Sequence, residues 1–356
     1  MAFAPEPTPP KKRNPNEEVS RLVGMVFALV VGLLLAIAVG SPLSMRGWLG
    51  IGIAVALVGG LLAWGPRGRW LIGLAIAAAI GGSAVLLAAP PQRDDPFLDA
   101  ITLPADEPAP RYGRLIAERD VALIGFRAMR LTGGVRADEL EGFARPLAGL
   151  YAELDDDDPL RPATQIDTAL GRQTAARFDA FVASEGDGAR WLVFLHGYGG
   201  SFAAFCWVVA QGAAEAGWST ICPATSIAGN WHRGEGPEIA RAAMEYARSR
   251  GAEHFVLAGL SNGGVGASFL ASELEDELEG LILISGLDDS APPTALPTLV
   301  IHGDGDARFS ATRAQAYAEG LPHGELLMLD HADHFLLVKH RGDVSRAITR
   351  FVSERQ

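Results

Sequence analysis

Three charge-free stretches in the first quarter of the chain most constrain what it can fold into. Residues 22–40, 47–66 and 70–91 run for 19, 20 and 22 positions without an Asp, Glu, Lys or Arg. About 20 apolar residues cross a bilayer core as a helix, so the pattern predicts three transmembrane helices over residues 22–90. A cleaved signal peptide is the competing reading of the first stretch. That stretch is longer than the roughly 7–15 apolar residues of a signal sequence, and two more follow it. Buried soluble helices would show a polar face, and none of the three does. Trp48, Trp64 and Trp70 stand at segment ends, where interfacial aromatics collect. Gly73, Ala77 and Gly81 repeat at four-residue spacing, a pattern that permits close helix packing in lipid.

Charge gives this segment a direction. Lys11, Lys12, Arg13 and Arg21 precede the first stretch, Arg46 alone lies in the first loop, and Arg67 and Arg69 lie in the second. Arg93 beyond the third is followed by Asp94 and Asp95. Basic loops stay cytoplasmic, so a multi-pass cell-membrane protein is expected, with the remainder of the chain extracytoplasmic. Residues 1–90 carry seven basic and three acidic side chains, or +4, which leaves −16 of the total −12 for the rest. So acidic a body argues against nucleic acid as a partner. Residues 1–21, with five prolines before position 16, read as a disordered basic cytoplasmic tail, and 91–110 as a Pro-rich extended linker.

Residues 111–175 read as a helical lead-in. The run Asp155-Asp156-Asp157-Asp158 within it lacks the ligand spacing of a calcium loop and reads as a solvated turn. From 176 to 356 apolar strands alternate with helices. Strands are expected at 177–182, 191–195, 218–222, at 255–258 before the motif described next, and at 281–284, 298–302 and 325–329. Helices are expected at 201–215, 237–250, 311–319 and 343–351. Such alternation predicts an α/β fold, a mostly parallel sheet covered on both faces, with chemistry at the strand C-termini.

Four motifs fall at those termini. Phe255-Val256-Leu257-Ala258 leads into Gly259-Leu260-Ser261-Asn262-Gly263 and a small-residue helix. A strand turning that sharply into a helix exposes the serine at its tip, and the two glycines let strand and helix approach. G-x-S-x-G arises by chance in a chain with 42 glycines, and its flanks give it weight here. Upstream, residues 191–195 run into His196-Gly197-Tyr198-Gly199-Gly200, a turn able to aim a backbone N–H at a developing oxyanion. Downstream, residues 299–301 end in His302-Gly303-Asp304-Gly305-Asp306, and residues 325–329 in Asp330-His331-Ala332-Asp333-His334-Phe335.

The order Ser, Asp, His resembles the α/β-hydrolase superfamily of serine esterases, lipases, thioesterases and peptidases, over roughly residues 176–356. The resemblance implies Ser261 as nucleophile, His334 as base and Asp306 as the acid that orients it, with the backbone N–H groups of Tyr198 and Asn262 as oxyanion hole. Asp288, after the 281–284 strand, is the alternative acid. Asp304 is then a loop residue. The family's small residue–His–Phe pattern selects His334 over His331, although Asp333 stands where glycine is usual. His196 and His302 read as structural. His331, Asp333 and His334 lack the further ligands of a metal site, and no metal or cofactor is expected.

Substrate is less constrained. Residues 285–297 are too few for a cap domain, so the pocket is expected to be framed by residues 223–236, with Trp231, His232 and Arg233 as candidate contacts, and by the lead-in helices. The implied activity is a membrane-anchored serine hydrolase cleaving an ester, thioester or amide, of carboxylesterase or lysophospholipase type. A serine peptidase and an inactive α/β-hydrolase serving as a tethered binding module are the alternatives. Partners are then a small-molecule, lipid or peptide substrate, and the bilayer through residues 22–90. Cys206 and Cys222 both fall near the C-terminal edge of the sheet, where they can be disulfide-bonded or be two buried free thiols.

Overall fold

A computed structural model describes residues 15–38, 43–62, 66–90, 96–131, 133–185 and 188–355. They divide into two compact units, Met1–Val85 and Leu86–Gln356.

The first unit holds α1 (Pro15–Ala38), α2 (Met45–Leu62) and most of α3 (Pro66–Ala88). Among the described residues two helices, Met45–Leu62 and Gly68–Ala88, are long and apolar enough to cross a membrane. Helix α1 takes in residues 15–21, which the sequence assigned to the tail; the rest of that tail, and Trp64, lie outside the described residues. The expected contact stripe is not where the helices meet. A Cβ at Gly73 or Gly81 would touch nothing, whereas one at Gly60 would lie 2.5 Å from Ile72 and one at Gly24 3.0 Å from Leu62.

The second unit is built on a nine-stranded sheet in the order β2-β1-β3-β5-β4-β6-β7-β8-β9. Its strands are β1 (Asp99–Leu103), β2 (Glu107–Pro108), β3 (Phe178–Ala183), β4 (Arg190–Leu195), β5 (Ser219–Pro223), β6 (His254–Leu260), β7 (Gly280–Ile284), β8 (Thr298–Gly303) and β9 (Gly324–Leu329). From β5 to β9 every pairing is parallel, and β1, β2 and β3 join antiparallel. The interior parallel strands read as unbroken apolar runs because helices bury both of their faces. The expected linker is thereby corrected: residues 91–95 lie outside the described residues, but β1 and β2 pair at the sheet edge instead of trailing as extended chain.

The helices of this unit are α4 (Glu118–Leu131), α5 (Ala137–Asp157), α6 (Gln165–Ala169), α7 (Ala203–Ala214), α8 (Gly236–Ser249), α9 (Asn262–Glu273), α10 (Ala311–Gly320), α11 (Leu336–Lys339) and α12 (Arg341–Ser353). Helices α8, α9 and α10 cover one face through a continuous core that includes Trp191, Val193, Leu257, Met244, Leu270 and Ala314. Helices α7 and α12 pack together on the other side.

Register sets where the chemistry goes. Leu195 pairs with Gly259, Leu260 with Ile284 and Gly303 with Leu329, so β4, β6, β8 and β9 end along one edge. The chain passes from β4 to one side (β5) and then to the other (β6), which makes the crevice beside β4 a switch point of the sheet.

The lead-in folds onto this edge. Glu118, at the start of α4, accepts hydrogen bonds from Tyr151 Oη (2.7 Å) and from the Ala204 amide at the start of α7 (3.3 Å). Burial raises its pKa, and these donors offset only part of that rise. The acidic run is not a solvated turn: α5 continues to Asp157, which is buried, pairs with Arg161 (2.7 Å) and accepts the Phe97 amide (3.0 Å).

Candidate active site

Ser261 sits between β6 and α9 at φ 53°, ψ −117°. A non-glycine residue held there costs about 1–3 kcal/mol, which the surrounding packing must offset. The packing is backbone on backbone. A Cβ on Gly259 would lie 2.3 Å from Gly263 O, and one on Gly263 2.0 Å from Leu195 O. Gly286, just after β7, closes the turn from below, where a Cβ would fall 2.2 Å from Ser261 O. The Ser261 amide donates to Ile284 O at 2.9 Å.

The Ser261 hydroxyl lies 2.9 Å from His334 Nε2, and His334 Nδ1 lies 2.7 Å from Asp306 Oδ2. The other carboxylate oxygen of Asp306 accepts the amides of Arg308 (2.7 Å) and Phe309 (3.1 Å). Burial drives the Asp306 pKa up. The hydrogen bond and charge of His334, joined by those two amides, outweigh it and leave the pKa below the ordinary carboxylate value. Asp306 is therefore an anion at neutral pH, which holds Nδ1 as the N–H tautomer and leaves Nε2 free to take the serine proton. Phe309 stacks on the His334 ring (centroids 5.8 Å apart, 10° between planes), and Phe335 meets it edge-on.

Other candidates fall elsewhere. Asp288 accepts the amide (2.9 Å) and hydroxyl (2.7 Å) of Ser290 and caps its own turn. Asp304 and His331 are exposed, and Asp333 pairs with Lys339. His196 is buried, and desolvation lowers its pKa to about 4. Its Nε2 accepts the Thr225 amide (3.0 Å), so Nδ1 carries the hydrogen toward Gly197 O (2.7 Å). His302 Nε2 contacts Phe309 O at 3.0 Å. Both strand-end histidines hold loops, as the sequence reading expected.

Around the serine, the turn after β4 lies close: a Cβ on Gly197 would fall 3.1 Å from Ser261 Cβ. Tyr198 and Asn262 line the same cavity as Ser261 and His334. The Asn262 amide is the first of α9, among those a helix leaves without an internal acceptor. Its side chain is engaged with Ala228 O (2.8 Å). These N–H groups can serve a negative oxygen.

The three residues expected to line the pocket are corrected. Trp231 has no exposed surface and donates its indole N–H to His196 O (2.8 Å). Gly266 makes room for it, since a Cβ there would lie 2.2 Å from Trp231 Cβ. His232 stacks on Phe269, and neither it nor Arg233 lines the cavity at Ser261. That cavity, of ≈ 630 Å³, is walled by α4 and α5 (Val121, Phe126, Met129, Phe143), the lead-in helices expected there, by Ile227 of the 223–236 segment, and by Phe205, Phe309 and Phe335. Phe126 stacks on Phe143 at 3.8 Å between centroids, and both meet Phe335 edge-on. Sequence reasoning missed this aromatic cluster and Arg308. The one available signal was that Phe126 and Phe143 fall on the apolar faces of the lead-in helices, where both are buried.

The two cysteines form a disulfide, Cys206–Cys222, with Cα atoms 6.0 Å apart. Among the described residues no cluster of His, Cys, Asp and Glu could hold a metal ion.

No protein-family model and no curated protein matches the chain. It is similar to solved structures of Est1E from Butyrivibrio proteoclasticus (17% identity over 50% of this chain and 94% of that one, TM-score 0.43). It is also similar to a predicted CIB-like hydrolase from Thermoplasma acidophilum (18%, 50% and 93%, 0.43) and to a thermophilic esterase from Thermogutta terrifontis (17%, 52% and 96%, 0.43).

Proposed function

We propose that this protein is a membrane-anchored serine hydrolase that cleaves a carboxylic ester through a covalent acyl-enzyme. One observation carries the reading: a strained serine, a histidine and a buried carboxylate in hydrogen-bonded line, opening onto an apolar cavity. Ser261 Oγ attacks the substrate carbonyl carbon while His334 Nε2 takes its proton. The carbonyl oxygen becomes an oxyanion facing the Tyr198 and Asn262 amides, and such donors are each worth about 2.7–4 kcal/mol in known hydrolases. His334 then protonates the departing alkoxide, leaving the acyl group on Ser261. Water, deprotonated by the same imidazole, releases the acid and regenerates the serine. Asp306 stays ionised throughout and stabilises the imidazolium.

Labelling with a fluorophosphonate probe tests the assignment. The full-length protein is expected to gain one adduct on Ser261, and Ser261→Ala to lose both the adduct and turnover of p-nitrophenyl butyrate. An adduct elsewhere, or a variant retaining activity within about tenfold, sinks the reading.

A further inference from the structure

We propose that the α4–α5 hairpin is the substrate-binding cap of this site, that it takes the apolar, uncharged acyl chain of an ester, and that Gly125 keeps the space for that chain. The inference rests on the serine-hydrolase reading and adds its substrate class. The segment after β7, residues 285–297, is too short to roof the site, and the lead-in supplies the roof instead. Helix α4 faces the cavity with Ala122, Gly125 and Ala128, set between the larger Val121, Phe126 and Met129. Gly125 lies in mid-helix, where alanine would be better by about 1 kcal/mol. A Cβ there would meet nothing within 4 Å. Neither a turn nor close packing calls for glycine at this position, and what its missing side chain leaves is open space in the wall of the cavity that holds Ser261.

Charge sets the chemistry of the chain. Arg308 is the sole Lys, Arg, Asp or Glu side chain in the cavity wall among the described residues. Its guanidinium is already spent: Nη1 donates to Glu139 at 2.8 Å, Nη2 to Gly134 O, and its plane lies over the Phe335 ring at 4.8 Å. The same contacts latch the α4–α5 hairpin to the loop that carries Asp306. An acyl chain bearing a carboxylate would enter a wall with no free cation and lose its hydration uncompensated. An aliphatic chain gains from each methylene it buries, by an amount equal to roughly fourfold in kcat/KM.

Full-length protein in nanodiscs, assayed with p-nitrophenyl acetate, butyrate, hexanoate, octanoate and decanoate, reads this directly. The expected result is a rise of roughly fourfold per methylene through the short members, with the hemisuccinate ester well below the butyrate. Gly125→Phe, at an exposed helical position where glycine is the poorer residue, should cut the decanoate-to-acetate ratio by at least about tenfold. Met129→Ala should move that ratio the opposite way. A flat acyl profile, hemisuccinate turned over as well as butyrate, or a ratio unmoved in both variants overturns the proposal. So does a gradient seen only with alkyl acetates, which would put the alcohol in the cavity. Fluorophosphonate labelling of Ser261 in the same samples separates the two readings. Label without a chain-length gradient defeats the cap and leaves the hydrolase; no label defeats the hydrolase.

Discussion

At the scale of residues, two carboxylates competed for one role, and their hydrogen bonds separate them. The Asp306 side chain is buried and gives one oxygen to His334 and the other to two amides, whereas Asp288 spends itself on Ser290. Asp306→Asn is therefore expected to lower kcat by several orders of magnitude through the wrong histidine tautomer, and Asp288→Asn by less than about tenfold. Steady-state kinetics of the two variants checks this, and a larger loss at Asp288 would reverse the assignment. His196 makes a different prediction, about stability. Its folded-state pKa is about 4 against an ordinary 6.5. Between those values the unfolded chain binds a proton that the folded one refuses, so stability rises with pH across that window. The contribution is whole above pH 6.5 and falls away as pH drops toward 4, by on the order of 3 kcal/mol. Thermal melts at pH 7 and pH 4.5 should show a steeper loss for the parent than for His196→Gln, whose side chain does not titrate. Equal slopes would mean that this histidine is not the buried neutral group described.

At the scale of elements, the parallel strands were legible because burial on both faces writes them as uninterrupted apolar runs, as in residues 281–284 and 299–301. The edge strands were not. Asp99–Leu103 and Glu107–Pro108 are short, polar at one end and set among prolines, a composition that reads as linker until β3 supplies their partner. The site divides the same way. Ser261, Asp306 and His334 each follow a readable strand, so their order along the chain exposed them. The cavity wall depends on contacts between α4–α5 and loops some 170 residues away, such as Arg308 with Glu139, and no local pattern reports those. Trp231 shows the opposite error, since an aromatic in a loop reads alike whether it lines a pocket or plugs a core. Two glycines separate the demands of turn and helix. Gly259→Ala drives a Cβ to 2.3 Å from Gly263 O and should abolish both folding yield and labelling. Gly149→Ala, in α5 with open space around it, should raise stability by about 0.5–1 kcal/mol in a denaturant titration. A tolerated Gly259→Ala would show that the turn from β6 into α9 is looser than its backbone contacts require.

At the scale of the whole molecule, the number of crossings decides which side of the membrane carries the chemistry. Helices α2 and α3 alone would return the chain to the side on which α2 begins; a crossing by α1 as well puts the second unit opposite the N-terminus. Lys11, Lys12, Arg13 and Arg21, all before the apolar part of α1, favour a cytoplasmic N-terminus. With two helices long and apolar enough to cross among the described residues, the extracytoplasmic placement we propose for the second unit requires that α1 cross as well. The Cys206–Cys222 bond agrees with that side, because such bonds persist in oxidising compartments and are reduced in the cytosol. It joins α7, which follows the Gly-rich turn after β4, to the end of β5, across 16 residues, and a loop of about that length stabilises by roughly 3 kcal/mol. The test reads both features in one preparation. Intact cells are treated with a thiol-blocking reagent before lysis, and the protein is mapped by non-reducing mass spectrometry. Protease is applied in parallel to cells and to inverted membrane vesicles. The expected outcome is the 206–222 cross-linked peptide pair, with cleavage between residues 90 and 96 from the outer face only. Alkylated Cys206 and Cys222 together with cleavage only from the cytoplasmic face would mean that α1 does not cross, and would place the hydrolase inside the cell.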